Sequence, residues 1–140
     1  MAASTADLYP TNLSINGWTP FLVASTTQIY LNQLVGVNAS GYLLPMSDTA
    51  GLIFMGQSNN NVLGGATNGT VSANVSPPED PNVKYRIMDC TGAAQSWVGS
   101  LVYFTDDHTV ALSSTNSLAA GRVLQYLTST QVKVDLSRRS

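Results

Sequence analysis

Alternation of apolar and polar residues is clearest near the C-terminus. Across residues 131–136 the apolar side chains Val132, Val134 and Leu136 occupy every second position, and polar ones including Asp135 lie between them. In a β-strand, successive side chains point to opposite faces of the sheet. The pattern therefore predicts a strand with its three apolar residues on a core and Asp135 in water.

Three more short apolar runs precede this strand. They cover Leu101–Phe104 and residues 109–112 and 121–127, and runs of Asp, Ser, Thr and His separate them. Strand pairs joined by tight polar turns are typical of antiparallel hairpins. Residues 101–136 are therefore predicted to form a four-stranded antiparallel meander, which is half of a β-sandwich or barrel and needs a partner sheet.

Further strands are predicted in the first two thirds of the chain. One predicted strand, residues 83–90, places Val83, Tyr85 and Ile87 on one face and Lys84, Arg86 and Met88 on the other. An Asn- and Gly-rich loop is predicted over residues 57–68, and the prolines of residues 76–81 forbid a strand there. The remaining predicted strands cover residues 21–24, 28–31, 34–37, 42–44, 50–55 and 70–75.

Nine to eleven short strands with frequent turns indicate an all-β chain. We predict an antiparallel β-sandwich with a jelly-roll-like arrangement, and a small β-barrel or β-tulip is the alternative. The 140 residues suit one domain. The predicted organisation is an N-terminal arm over residues 1–19, a single β-sandwich domain over 20–137, and a short basic tail over 138–140.

The predicted arm has no sustained period but carries spaced large side chains. Tyr9, Leu13, Ile15 and Trp18 are its candidate contact residues. Such residues are scarce in purely disordered tails. They either cap the core of their own domain or dock on a neighbouring subunit as anchors.

Composition narrows the possible partners. Only 10% of the residues are charged, and the formal net charge is −2. A nucleic-acid-binding protein would show a basic stripe, so no nucleic-acid partner is expected. No apolar run approaches the length of a membrane span, and the N-terminus does not resemble a signal peptide. The single cysteine, Cys90, excludes an intrachain disulfide and suits assembly in a reducing cytoplasm.

Candidate chemistry is confined to His108, the only histidine, which follows Asp106 and Asp107. The three could form a base oriented by a carboxylate, a weak Ca²⁺ site, or a hairpin turn in which Asp binds backbone amides. The sequence favours the turn, because no nucleophile-elbow motif and no second cluster of metal ligands is present. No catalytic activity, cofactor or metal is therefore expected.

Several short segments of the sequence resemble segments of a known protein family. They are LVGVNASGYLLP at residues 34–45, SDTAGL at 47–52, VYFTDDHTVAL at 102–112, GRVL at 121–124, and the closing strand at 132–136. These segments, 38 of the 140 residues in all, are similar to the capsid decoration, or cement, proteins of tailed bacteriophages.

The resemblance implies a structural virion protein on the outer surface of an icosahedral head, made in the host cytoplasm. Its partners would be the major capsid protein, whose neighbouring subunits it would bridge, and copies of itself in a homodimer or homotrimer. Tyr9, Leu13, Ile15 and Trp18 would be the candidate subunit or capsid contacts. The alternative is a carbohydrate- or receptor-binding β-sandwich of a phage tail or fibre, since the Tyr and Trp residues could line a sugar groove.

Overall fold

A computed structural model describes residues 18–140 and shows an all-β, antiparallel sandwich. The prediction of the fold class is confirmed. The only helical segment in this part of the chain is a 3₁₀ turn at Gln95–Trp97. The strands are β1 (Thr19–Leu22), β2 (Gln28–Ile29), β3 (Leu34–Val37), β4 (Leu43–Pro45), β5 (Ile53–Ser58), β6 (Val62–Leu63), β7 (Ser72–Ser76), β8 (Tyr85–Asp89), β9 (Leu101–Phe104), β10 (Val110–Ala111), β11 (Ala119–Thr128) and β12 (Gln131–Asp135).

The N-terminal sheet has the strand order β1-β7-β5-β3-β4. It curls until its two edge strands meet, because a parallel bridge joins Val23, directly after β1, to Leu43 in β4. The Ala24 amide also donates to the Leu43 carbonyl oxygen at 3.1 Å. The small β2–β6 pair supplies Ile29 and Val62 to the core that the curl encloses. That core is formed by Val23, Ile29, Val35, Leu43, Ala73 and Val75.

The C-terminal sheet has the strand order β10-β9-β11-β12-β8. Both predicted hairpins are present, but β11 pairs with β9 as well as with β12. The order is therefore not a simple meander, because residues 112–118 carry the chain across the end of β9. The edges of this sheet also meet at one end, where Asp89 bridges Thr109 and its amide donates to the His108 carbonyl oxygen at 2.9 Å.

Strand β3 lies between two cores. Leu34 and Val35 are both fully buried, although neighbouring residues in a strand point to opposite faces. Val35 packs inside the curl of the N-terminal sheet, and Leu34 packs in the core between the two sheets. Phe54 of β5 meets Phe104 of β9 there, with ring centroids 5.0 Å apart. The N-terminal sheet is thus the middle layer of the molecule.

One side chain of β12, Asp135, differs from the prediction. Val132, Val134 and Leu136 are fully buried as predicted, but Asp135 is also buried. The prediction that Asp135 faces water is wrong, because its carboxylate turns back to accept hydrogen bonds from the Ser137 amide at 3.0 Å and hydroxyl at 2.5 Å. A short acidic side chain at a strand end can satisfy itself locally in this way.

Strand β8 follows the proline-rich segment at residues 76–81, which carries the chain from one sheet to the other. Its alternation places Tyr85 and Ile87 on one face as predicted, and that face is exposed. Val83, predicted to share this face, instead lies before β8 and is buried in the core between the sheets. Met88 is buried instead, because it pairs with the buried Val132 of β12. The predicted loop at 57–68 also contains the short strand β6.

Close backbone approach explains Gly121 in β11. A Cβ atom there would lie 2.1 Å from the carbonyl oxygen of Asp135 in the neighbouring strand. Only glycine permits such an approach. Within residues 18–140, no helix has the length and apolar character needed to cross a membrane.

Candidate functional site: surfaces for binding protein

The predicted contact residues fall at the edge of the described structure. Tyr9, Leu13 and Ile15 lie outside the described residues, and Trp18 is the first residue within them. Trp18 is 41% exposed and directly precedes β1. Thr19, placed in the arm by the sequence, pairs with Val75 as part of the N-terminal sheet. The tail is in contact with the domain, because Arg139 stacks over the Phe54 ring at 5.4 Å.

An apolar strip lies on the outer face of β8. Tyr85 and Ile87 are 50% and 57% exposed, and β8 is an edge strand with a neighbour only on the β12 side along most of its length. The ammonium groups of Lys84 and Lys133 lie 5.2 and 5.6 Å from the Tyr85 ring centroid. We call Tyr85, Ile87 and Lys133 the β8 face. Exposed aromatic and apolar residues are characteristic of protein interfaces.

A second exposed apolar group surrounds the small β2–β6 pair. Tyr30 and Leu31 follow β2, and Leu63 lies in β6 opposite Gln28. All three are more than half exposed. Their polar neighbours in sequence are uncharged amides and hydroxyls, so this end of the molecule can be desolvated without stripping water from charges.

A groove opens between β4 and β5. Its volume is about 390 Å³, and its floor contains Met46 and Leu52, which are almost fully buried in the core between the sheets. None of the residues that line it is charged, and we call it the 44–52 groove. Its lining is Asn38, Leu44, Pro45, Met46, Ser47, Thr49, Ala50 and Leu52. A neighbouring cavity of about 330 Å³ shares Leu52.

Asp48 holds the rim of this groove in place. Its carboxylate accepts hydrogen bonds from the amides of Thr115 at 3.0 Å and Asn116 at 2.9 Å, and the Asn116 side chain donates to the Asp48 carbonyl oxygen. The Asn116 amide is the main reason that the pKa of Asp48 is lowered. The SDTAGL segment is therefore anchored to the loop that crosses β9, and its aspartate has a structural role.

The Asp106–His108 turn is a compact polar cluster. His108 Nδ1 lies 2.7 Å from Asp107 Oδ1 and 3.1 Å from Asp106 Oδ1, and the His108 amide donates to Asp106 Oδ1 at 2.9 Å. Gln33, from the connection before β3, donates to Asp107 Oδ2 at 2.6 Å. Both Asp107 oxygens are thus engaged within the protein.

Arg86 extends this cluster across the two sheets. Its Nη1 donates to the carbonyl oxygen of Asn32 and to Oε1 of Gln57, each at 2.8 Å. Burial lowers the pKa of Arg86, and the charge of Asp107 opposes that effect. Hydrogen bonds from Gln33 and Arg86 therefore tie β8 and the 105–109 turn to the N-terminal sheet.

The protonation of the cluster follows from these contacts. The hydrogen bond with Asp107 is the main cause of a raised pKa for His108. Burial pushes the pKa of Asp107 upward, but its hydrogen bonds from Gln33 and His108 outweigh this and lower it. The three side chains lie close enough to share an ion, yet a metal would have to displace the Gln33 and His108 contacts. The geometry instead supports a hydrogen-bonded contact between the two sheets. We call this contact, formed by Asp106, Asp107, His108, Gln33 and Arg86, the polar lock.

Cys90 is buried and packs in the core between the sheets. Burial is the main cause of a raised pKa for its thiol, and the nearby charge of Asp89 adds to it. Because the thiolate is the reactive form, this environment disfavours nucleophilic chemistry at Cys90.

The sequence did not indicate the exposed β8 face or the 44–52 groove. When both faces of an alternating strand carry apolar residues, the sequence does not show which face is exposed to solvent. The groove had one signal, Pro45 followed by Met46, in which a strand ends while the apolar pattern continues.

Comparison with protein-family models, curated proteins and solved structures found no match to this chain.

Proposed function

We propose that this protein is a structural virion component that decorates the outer surface of a tailed-phage capsid. The observation that carries the proposal is the β8 face, an exposed apolar and aromatic strip on a β-sandwich that has two hydrophobic cores. The family resemblance of the segments at residues 34–52 and 102–112 supports it. The partners are the major capsid protein and further copies of this chain, in a homodimer or homotrimer.

The scaffold suits a clip between shell subunits. Ligands that bind only the assembled state stabilise that state by mass action. Many copies on one lattice gain avidity without any single tight contact. A surface with few charges lowers the desolvation cost of adhesion.

The basic side chains support a protein partner more than a nucleic acid. Arg86, Arg122 and Arg139 each donate to backbone carbonyl oxygens, so they are engaged within the fold. Lys84 and Lys133 flank the Tyr85 ring. These placements give no continuous basic stripe among the described residues, which phosphate binding would need. We propose no catalytic role and a site of action outside the shell.

The test is binding to expanded, undecorated heads of the phage that encodes the protein. Purified protein should co-sediment with the heads and raise the temperature at which they release DNA. The double variant Tyr85→Ser/Ile87→Ser should lose most of this binding while its own melting temperature changes little. The matched control is Leu63→Ser, which removes an equally exposed apolar side chain from the β2–β6 end and should bind normally.

Two results would contradict the proposal. Absence of binding by the parent protein would reject the decoration role itself. Normal binding by the double variant would reject the β8 face as the adhesive surface.

A second candidate is a carbohydrate- or receptor-binding module of a tail or fibre. The observation that favours it is the exposed ring of Tyr30 beside amide-rich loops, which is a common sugar-stacking arrangement. A glycan array separates the two functions, because reproducible binding that Tyr30→Ala abolishes would favour this module.

A further inference from the structure

The 44–52 groove has an apolar floor that is continuous with the main core. Met46 and Leu52 are 1% and 4% exposed, and Leu44 and Phe54 pack against the same core. The rim is held by the Asp48 hydrogen bonds to residues 115 and 116. A groove of about 390 Å³ is within the range that accommodates compact apolar ligands. Because hydrogen bonds hold its rim, the groove has a fixed shape into which a ligand can bind.

Residues 8–15 match the groove in chemistry. The segment LYPTNLSI has no charged residue and carries Leu8, Tyr9, Leu13 and Ile15. The groove lining is also uncharged, so neither side would bury an unpaired charge. Leu13 and Ile15 are two residues apart and would present both side chains to one surface when bound in an extended conformation.

We propose that the 44–52 groove binds residues 8–15 of a neighbouring copy of this chain. The inference rests on the proposed homo-oligomer and names its docking site. The matching residues are Leu13 and Ile15 as apolar anchors, with Met46 and Leu52 as the floor that receives them.

The direction of β1 favours exchange between copies. β1 runs parallel to β4 at the Val23–Leu43 bridge, so Thr19, at the start of β1, lies toward the end of the sheet opposite to the one where β4 runs into the groove. Ile15 is four positions before Thr19, a reach of at most about 14 Å, and the reach from Thr19 to Leu8 is at most about 40 Å. Docking on a neighbouring copy therefore requires no reversal of the chain before Thr19. Return to the same chain's groove would need a reversal at the Asn16-Gly17 turn signal.

Disulfide trapping in the full-length protein tests this docking. One variant carries Leu13→Cys and a second carries Ala50→Cys, at an exposed position on the groove rim. The two are mixed and oxidised with oxidised glutathione, and peptide mapping by mass spectrometry identifies the linked residues. A disulfide needs Cβ atoms about 3.5–4.5 Å apart. Docking should raise the rate of the 13–50 link on the order of 10²-fold above the control through effective concentration.

The matched control mixes Leu13→Cys with Gln131→Cys, an exposed position in β12. The parent chain controls for Cys90, which is buried. A 13–50 link between two different molecules, absent from both controls, supports the proposal. The double variant Leu13→Cys/Ala50→Cys linking only within one chain would overturn it in favour of docking on the same molecule, and no link in any sample would overturn docking altogether.

This experiment uses isolated protein without heads. Its failure therefore leaves the decoration function to the head-binding experiment, and failure of head binding leaves the 13–50 link interpretable.

Discussion

His108 is exposed to solvent, yet its side chain takes part in the hydrogen-bonded contact between the two sheets. Its imidazole contacts Asp107, whose other oxygen accepts from Gln33 next to the N-terminal sheet. The sequence correctly indicated a polar turn at this position, but Gln33 is 74 residues away from Asp107. Partners so distant in the chain leave no trace in local spacing, so the sequence could not identify the lock.

The lock predicts a pH-dependent stability. The pKa of His108 is raised above 6.5 in the folded state, so its stabilising contribution is fully present below pH 6.5 and is lost as pH rises through the folded-state pKa. The pKa of Asp107 is lowered below 3.8, so its contribution is present above that pH and is lost as pH falls through the folded-state value. The effect should be at most about 1 kcal/mol, because His108 is exposed and solvent screens the pair.

The measurement is urea unfolding at several values between about pH 5 and pH 8. His108→Gln should be less stable than the parent at the acidic end, and the difference should shrink toward the alkaline end. Asp107→Asn is the matched control, because it removes the carboxylate and should flatten the parent's pH dependence over this range. An identical pH dependence in the parent and in His108→Gln would contradict the lock.

Strands and hairpins were predicted well wherever a turn and a clean alternation occur together. The boundaries of β3 and β9 agree with the sequence prediction, and β12 differs from it by one residue. The facing of β8 could not be derived, since both of its faces carry apolar residues and only the pairing of Met88 with Val132 decides which is buried. The crossing of β9 by residues 112–118 is likewise set by which strand edge is available, not by local propensity.

The position of β3 between the two cores predicts that both cores unfold together. Leu34→Ala removes a side chain from the core between the sheets, and Leu43→Ala removes one from inside the N-terminal curl. Each should lower the free energy of unfolding by about 2–5 kcal/mol. Trp97 belongs to the core between the sheets, so in a Trp18→Phe background, which removes the other tryptophan, its fluorescence reports on that core in both variants.

Chemical unfolding should therefore show coincident far-UV circular dichroism and tryptophan fluorescence transitions for both variants. Leu63→Ala, which removes an exposed side chain, is the control and should change stability by less than about 0.5 kcal/mol. If Leu43→Ala gave an early circular dichroism transition without a fluorescence change, the two cores would be independent units.

At the scale of the whole molecule, the described residues 18–140 contain two cores of buried side chains. Each sheet curls so that its edges meet at one bridge, which limits the strand edges open to unspecific pairing. Eleven large apolar side chains of the described residues remain exposed, and only 10% of the chain is charged. We therefore expect different residues to carry folding and adhesion. The domain should fold without residues 1–17.

Deletion of residues 1–17 tests this separation. The shortened chain should keep the all-β circular dichroism spectrum and unfold within about 1 kcal/mol of the parent, because residues 18–140 retain both described cores. Its mass by light scattering should fall to that of a monomer, since Tyr9, Leu13 and Ile15 would no longer anchor a neighbouring copy. The full-length variant Tyr9→Ser/Leu13→Ser/Ile15→Ser is the matched control and should behave in the same way. Global unfolding of the shortened chain would instead show that these side chains complete the core of their own domain, because loss of buried apolar contacts is what unfolds a marginally stable fold.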